Sequence, residues 1–175
     1  KFVWIAMLST AAFGAIGFVD DYLKVTRHSH HGLFARYKLL SQIAVAVAIG
    51  LALIWMADQT PPAYSLRLIP PFFKRWIPDL GWWYVPFAAI VLVGTTNAVN
   101  LTDGLDGLAI STFAVSAATF TALTYVIGHA VFAEYLMLVR FPDVGELTIF
   151  CGALVGASLG FLWWNAHPAS VFMGD

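Results

Sequence analysis

Charge is scarce in this chain. Only 11% of its 175 residues are Asp, Glu, Lys or Arg, against about 25% in ordinary soluble domains, and a surface wetted on all sides needs more than that. Cysteine is nearly absent too. Cys151 is the single one and sits in an apolar run, so no intrachain disulfide can form and a packing role is the natural reading. Nor is there a surplus of positive charge. Nine Lys and Arg against ten Asp and Glu leave a net charge of −1, with no basic surface to neutralise duplex phosphates, which argues against a nucleic-acid partner. The chain shows no cleavable signal peptide, internal repeat or low-complexity tract. Without an initiating Met, and with an abrupt end at Asp175, it reads as an internal segment of a longer protein.

What fills the space is apolar: 60% of residues are hydrophobic and the mean hydropathy is +0.79. This is the composition of an integral membrane protein. A spanning helix needs about 20 mostly apolar residues, and five runs qualify: 2–19, 39–57, 82–98, 108–128 and 147–166. The first ends at Asp20-Asp21, and the third carries Pro86 near its start, where a kink is tolerated. The segment 131–141 is too short to span and reads as a helix lying at the interface. The expected fold is therefore all-α, a polytopic membrane bundle of about five spanning helices, with residues 1–175 forming a single transmembrane domain.

Counting crossings puts Asp20, Asp21, Asp103, Asp106 and Asp175 on one membrane face, and no other acidic residue with them. The positive-inside rule does not orient that face. Lys24, Arg27, Arg36 and Lys38 stand on it, against Lys1, Arg67, Lys74, Arg75 and Arg140 opposite. Trp76, Trp82, Trp83 and Tyr84 fit an aromatic belt on the far side.

Residues 97–108 are the centre of the reading. Asn97, Asn100, Asp103 and Asp106 recur every third residue, and Gly104 and Gly107 offer the break that turns a helix end into a tight acidic loop. A solvated loop with helix-capping Asn and Asp is the plain alternative. Asp20 and Asp21 repel each other unless a cation or shared proton relieves them, and Lys24 lies four and three residues on, within reach of either. In the basic loop that follows, His28, His30 and His31 suit a wet interface better than a metal site. Arg36 and Lys38 are candidate counter-charges for a phosphorylated ligand, or for anionic lipid headgroups. Asn165 precedes Pro168, which breaks the last helix ahead of Gly174-Asp175. Carboxylates, amides and lysines at one face suit a hard cation acting on phosphates. Mg²⁺ takes oxygen ligands, often one or two carboxylates plus substrate phosphates, whereas no cysteine or histidine spacing here suits zinc.

These stretches carry a resemblance. Phe18-Val19-Asp20-Asp21-Tyr22-Leu23-Lys24, the run Asn97 to Ala109, and Phe161-Leu162-Trp163-Trp164-Asn165 through Phe172-Met173-Gly174-Asp175 resemble the polyprenyl-phosphate N-acetylhexosamine-1-phosphate transferases, in motif order over nearly the whole chain. Gly32-Leu33-Phe34-Ala35-Arg36-Tyr37-Lys38 and Gly145-Glu146-Leu147 are most similar to the branch that handles phospho-MurNAc-pentapeptide. The resemblance implies a Mg²⁺-dependent enzyme of peptidoglycan synthesis, hence of cell-wall biogenesis, cell shape and division. Its substrates would be UDP-MurNAc-pentapeptide and undecaprenyl phosphate, and its products lipid I and UMP. It implies Asp175 as metal ligand and catalytic residue, with Asp20 and Asp21 as a catalytic pair in which Asp20 is a candidate base or lipid-phosphate organiser. Lys24, Lys38, Asn97, Asn100, Asp103, Asp106 and Asn165 would line the substrate site. It further implies a multi-pass protein of the bacterial inner membrane, bathed in membrane lipids, with its active site cytosolic; a homodimer is left open. The family's early Lys/Thr-rich loop and later histidine-rich motif have no counterpart in these residues.

Two other readings compete. A sister transferase moving GlcNAc-1-phosphate for teichoic-acid or surface-polysaccharide synthesis would share the acidic motifs. A cation channel or transporter would also hold intramembrane acids, but would place them along a pore rather than at helix ends on one face.

Overall fold

The computed structural model describes residues 1–26, 32–59, 66–70 and 76–174. In lipid no water satisfies backbone N–H and C=O groups, so an apolar run closes its own hydrogen bonds as a helix. The chain does this in order as α1 (Phe2–Thr26), α2 (Ala35–Gln59), α3 (Tyr84–Thr102), α4 (Leu108–Gly128), the short α5 (Ala130–Tyr135) and α6 (Leu147–Asn165). Single 3₁₀ turns, Gly81–Trp83 and Pro142–Val144, lead into α3 and α6. Five of these helices are long and apolar enough to cross a membrane. The protein is all-α and multi-pass.

The helices run past the apolar stretches that announce them. α1 continues through Asp20-Asp21 to Thr26 because Lys24, one turn on, pairs with both carboxylates and lets them stay helical. α3 carries Asn97 and Asn100 within it, and Thr102 bonds back to the Ala98 carbonyl at 2.7 Å. The break before α4 belongs to Gly107, whose φ of 77° suits glycine; Gly104 needs no such conformation. The segment 131–141 forms a helix only as far as Tyr135, and Met137 turns the chain at φ 52°.

The chain divides into two compact units, each described by itself. In the unit of residues 1–11 and 96–175, α4 lies along α6. Ile110, Ala114, Ala117 and Thr124 form the buried stripe of α4, and Ser158 and Asn165 are buried on α6. Small residues and hydroxyls suit this contact, since lipid gives apolar side chains no reason to prefer a neighbouring helix. Thr124 and Thr148 join the helices by a 3.1 Å hydroxyl bond. Near the far end the backbones themselves touch. A Cβ on Gly128 would lie 2.7 Å from the Gly145 Cα and 2.9 Å from its nitrogen. Gly128→Ala should therefore cost about 1–3 kcal/mol by overpacking, read as a lower melting temperature in detergent. Gly160→Ala, with open space around it, should not; equal melting of the two variants would refute the contact.

In the unit of residues 12–95, Gln42, Ala46, Gly50 and Ile54 recur one turn apart as the buried stripe of α2. Gly50 admits the α3 backbone, for a Cβ there would sit 3.2 Å from the Val85 Cα. Large apolar side chains such as Phe18, Trp55 and Ile90 point outward, as lipid-facing surface does. Before α3, Arg67 and Asp79 pair as one antiparallel bridge, the only β pairing among the described residues.

Candidate functional site

The candidate residues fall into two clusters, one in each unit. The first grows from the end of α1. Asp20 is buried, and an ionised carboxylate removed from water must find partners. It has three. Its Oδ2 meets the Nζ of Lys24 and of Lys38, each at 3.1 Å, and its Oδ1 accepts the Leu33 amide at 2.6 Å. Lys24 also reaches Asp21 Oδ1 at 3.2 Å. The structure thus joins Asp20, Asp21, Lys24 and Lys38 in one ion network. Arg36, the other candidate counter-charge, lies over the rings of Tyr37 and Phe34, 5.0 and 5.7 Å from their centroids. His28, His30 and His31 lie outside the described residues.

The second cluster ties the turn after α3 to the tail after α6. Asn165, buried at the end of α6, accepts the Gly107 amide on Oδ1 at 3.1 Å. Its Nδ2 donates to the Val171 carbonyl at 2.9 Å. Asp106 Oδ2 accepts the Ala169 amide at 3.1 Å and lies 3.2 Å from His167 Nδ1. The Ala169 amide and then the His167 ring hold the Asp106 carboxyl below its ordinary pKa of 3.8. A depressed carboxylate contributes above its unfolded pKa, so this clasp is intact at neutral pH and weakens only as acid passes below 3.8 toward the lowered value. Asn97 and Asn100 stand on the last turns of α3, with Asp103 half-buried just beyond. Asp175 lies outside the described residues; the tail that leads to it, through Gly174, is the one Asn165 and Asp106 hold.

Beside this tail, α4 and α6 enclose an open apolar groove of about 350 Å³, lined by Phe113, Phe161, Phe172 and Met173 among others. Among the described residues, no three His, Cys, Asp or Glu side chains gather as a metal cage.

Sequence reasoning missed the Leu33 amide, His167 and the Ala169 amide as members of these clusters. Backbone donors carry no signature in a sequence. His167 could have been suspected, since it shares a motif with Asn165. Because Asn165 satisfies two backbone groups, of which the Gly107 amide is buried, Asn165→Ala should destabilise the protein by about 1–3 kcal/mol. A melting temperature within error of the parent would show that the amide does not hold the tail.

The family model for glycosyl transferase family 4 matches residues 3–175. Similar curated proteins carry the name phospho-N-acetylmuramoyl-pentapeptide-transferase. The one from Koribacter versatilis is 56% identical over 190 residues, covering 100% of this chain and 50% of that protein. Those from Solidesulfovibrio magneticus and Maridesulfovibrio salexigens are 53% and 52% identical, covering 100% and 99% of this chain and 48% and 47% of theirs. The chain spans about half the length of the curated relatives it matches.

Proposed function

This chain belongs to glycosyl transferase family 4, and we propose that the complete protein transfers phospho-MurNAc-pentapeptide from UDP-MurNAc-pentapeptide to undecaprenyl phosphate. A phosphate oxygen of the lipid attacks the sugar-linked phosphorus of the UDP-sugar. The bond between that phosphorus and the bridging oxygen breaks, and UMP leaves with the electron pair, giving lipid I. The names of relatives at 52–56% identity favour this substrate. The observation that carries the reading is the double clasp of Asn165 and Asp106, which ties the 103–107 turn to the stretch after α6 that leads on to Asp175.

The reaction brings anionic groups together, so catalysis is mainly positioning and charge compensation. Lys24 and Lys38 offset negative charge beside Asp20 and Asp21. Asn97, Asn100, Asp103 and Asp106 line the nucleotide-sugar site, with Asn165 holding its turn in place. Asp175, together with substrate phosphates, would hold Mg²⁺. When bound, that ion would supply the charge neutralisation a diphosphate needs.

The test is UMP release by the complete protein. Release should require both UDP-MurNAc-pentapeptide and undecaprenyl phosphate. Release with UDP-GlcNAc in place of the muramoyl substrate would move the protein to the sister branch.

Because UDP-sugars are made in the cytosol, residues 103–107 and 166–170 are placed at the cytosolic face of the inner membrane, and 129–146 outside. Single cysteines at Ser170 and Asp143, in the complete protein stripped of all other cysteines, should label from opposite sides of the membrane. An impermeant reagent that labels both in intact spheroplasts would sink this orientation.

A further inference from the structure

Three cations stand close together in sequence where α1 ends and α2 begins, and they do not share one task. Lys24 and Lys38 are engaged with the carboxylates at the end of α1. Arg36 is exposed and meets no carboxylate among the described residues. An α-helix turns about 100° per residue, so Lys38 stands roughly 200° round α2 from Arg36. Lys38 turns in to Asp20, and Arg36 turns out. Leu40 and Ile43, four and seven residues on, lie on the Arg36 side and are exposed as well. The apolar run 39–57 begins three residues after Arg36, about 4.5 Å of helix rise. That matches the ~5–7 Å that headgroups add to each side of the hydrocarbon core.

Two rings give the Arg36 cation a fixed pose. Phe34 and Tyr37 meet edge to face with centroids 6.2 Å apart, and the Arg36 Cζ lies 5.7 and 5.0 Å from those centroids. Stacking uses the flat face of a guanidinium and leaves its in-plane N–H fork for a bidentate acceptor, which phosphate oxygens fit. We propose that Arg36, seated on Phe34 and Tyr37, binds the phosphate of an anionic membrane phospholipid whose acyl chain lies along Leu40 and Ile43. The exposed cation supplies the complementary charge, and the outward apolar side chains supply the track. A water-soluble sugar nucleotide would gain nothing from such a track. The site goes beyond the transferase reading and does not depend on which membrane face is cytosolic.

In the experiment the complete protein, purified in detergent, is titrated with phosphatidylglycerol or phosphatidylcholine, and retained lipid is counted by native mass spectrometry. The parent should hold phosphatidylglycerol more tightly than phosphatidylcholine. Arg36→Gln should weaken phosphatidylglycerol binding about fivefold, the worth of one interfacial cation. Arg140→Gln, a change that the crossing count assigns to the opposite face, should bind like the parent. Arg36→Lys should recover little, because an ammonium keeps the charge without the fork. Phe34→Leu combined with Tyr37→Leu should also weaken binding, although the cation remains. Melting of Arg36→Gln in lipid-free detergent should be parental, since the side chain is exposed. Should that variant fail to fold, Arg36→Lys decides alone. Equal losses in Arg36→Gln and Arg140→Gln, or full binding by Arg36→Lys, would reduce the site to general attraction and overturn the proposal. So would a loss confined to undecaprenyl phosphate, titrated in the same way, which would assign Arg36 to the lipid substrate instead.

Discussion

Replacing Asp175 by Asn in the complete protein should leave it folded and cost at least ~100-fold in kcat, roughly 2.7 kcal/mol of transition-state stabilisation. The stretch that leaves α6 at Asn165 and leads on to Asp175 is tied to the 103–107 turn by Asn165, which takes the Gly107 amide, and by Asp106, which takes the Ala169 amide. That turn already carries Asp103 and Asp106. A third carboxylate near that turn would raise the local negative charge, and like charges disfavour one another's ionised forms unless a cation intervenes. Asp106 is already engaged by His167 and the Ala169 amide, which leaves Asp175 as the candidate ligand for a divalent ion. Asn keeps the size and one oxygen but loses the charge, so the fold survives and the charge compensation does not. The decisive measurement is Mg²⁺-dependent UMP release. Near-parental turnover with an unchanged Mg²⁺ requirement would remove Asp175 from the metal site.

Lys38→Ala should be the most damaging change to a single lysine. The Nζ of Lys38 lies 3.1 Å from Asp20 Oδ2, on a carboxylate whose side chain is 4% exposed. Removing one partner of a buried pair costs about 3–5 kcal/mol when nothing else compensates. Lys24 remains on the same oxygen, so the lower end of that range is expected. Loss of the cation should also weaken use of the anionic sugar nucleotide. We expect kcat/KM for UDP-MurNAc-pentapeptide to fall at least ~10-fold, about 1.4 kcal/mol, with partial recovery in Lys38→Arg. Lys74, which lies outside the described residues and which the crossing count assigns to the opposite face, serves as the comparison. Equal losses in Lys38→Ala and Lys74→Ala would show that the network around Asp20 has no part in handling the substrate.

Much of this was legible before any coordinates. A helix facing lipid must be apolar along its length, so the spans could be read from composition; α4 begins and ends where its apolar run does, at 108 and 128. The ends of α1 and α3 were less legible. Whether a helix continues through Asp20-Asp21 or through Asn97 and Asn100 depends on what those side chains meet, and Lys24 settles the first case. The acidic motifs were visible because phosphate chemistry needs oxygen donors and cations, which are conspicuous against so apolar a background. The part each residue plays was not visible.

Asp20 and Asp21 are the same residue type in adjacent positions, yet one is buried and the other half-buried. Asn165 looked like a ligand-lining amide, and its two bonds go to backbone groups of Gly107 and Val171. The sequence by itself determined the membrane spans, the all-α class and the inventory of polar groups, because hydropathy and side-chain chemistry are properties of each residue. The tertiary structure decided which carboxylate is buried and which groups each polar side chain meets, because burial and hydrogen bonding depend on backbone brought in from 13 to 63 residues away.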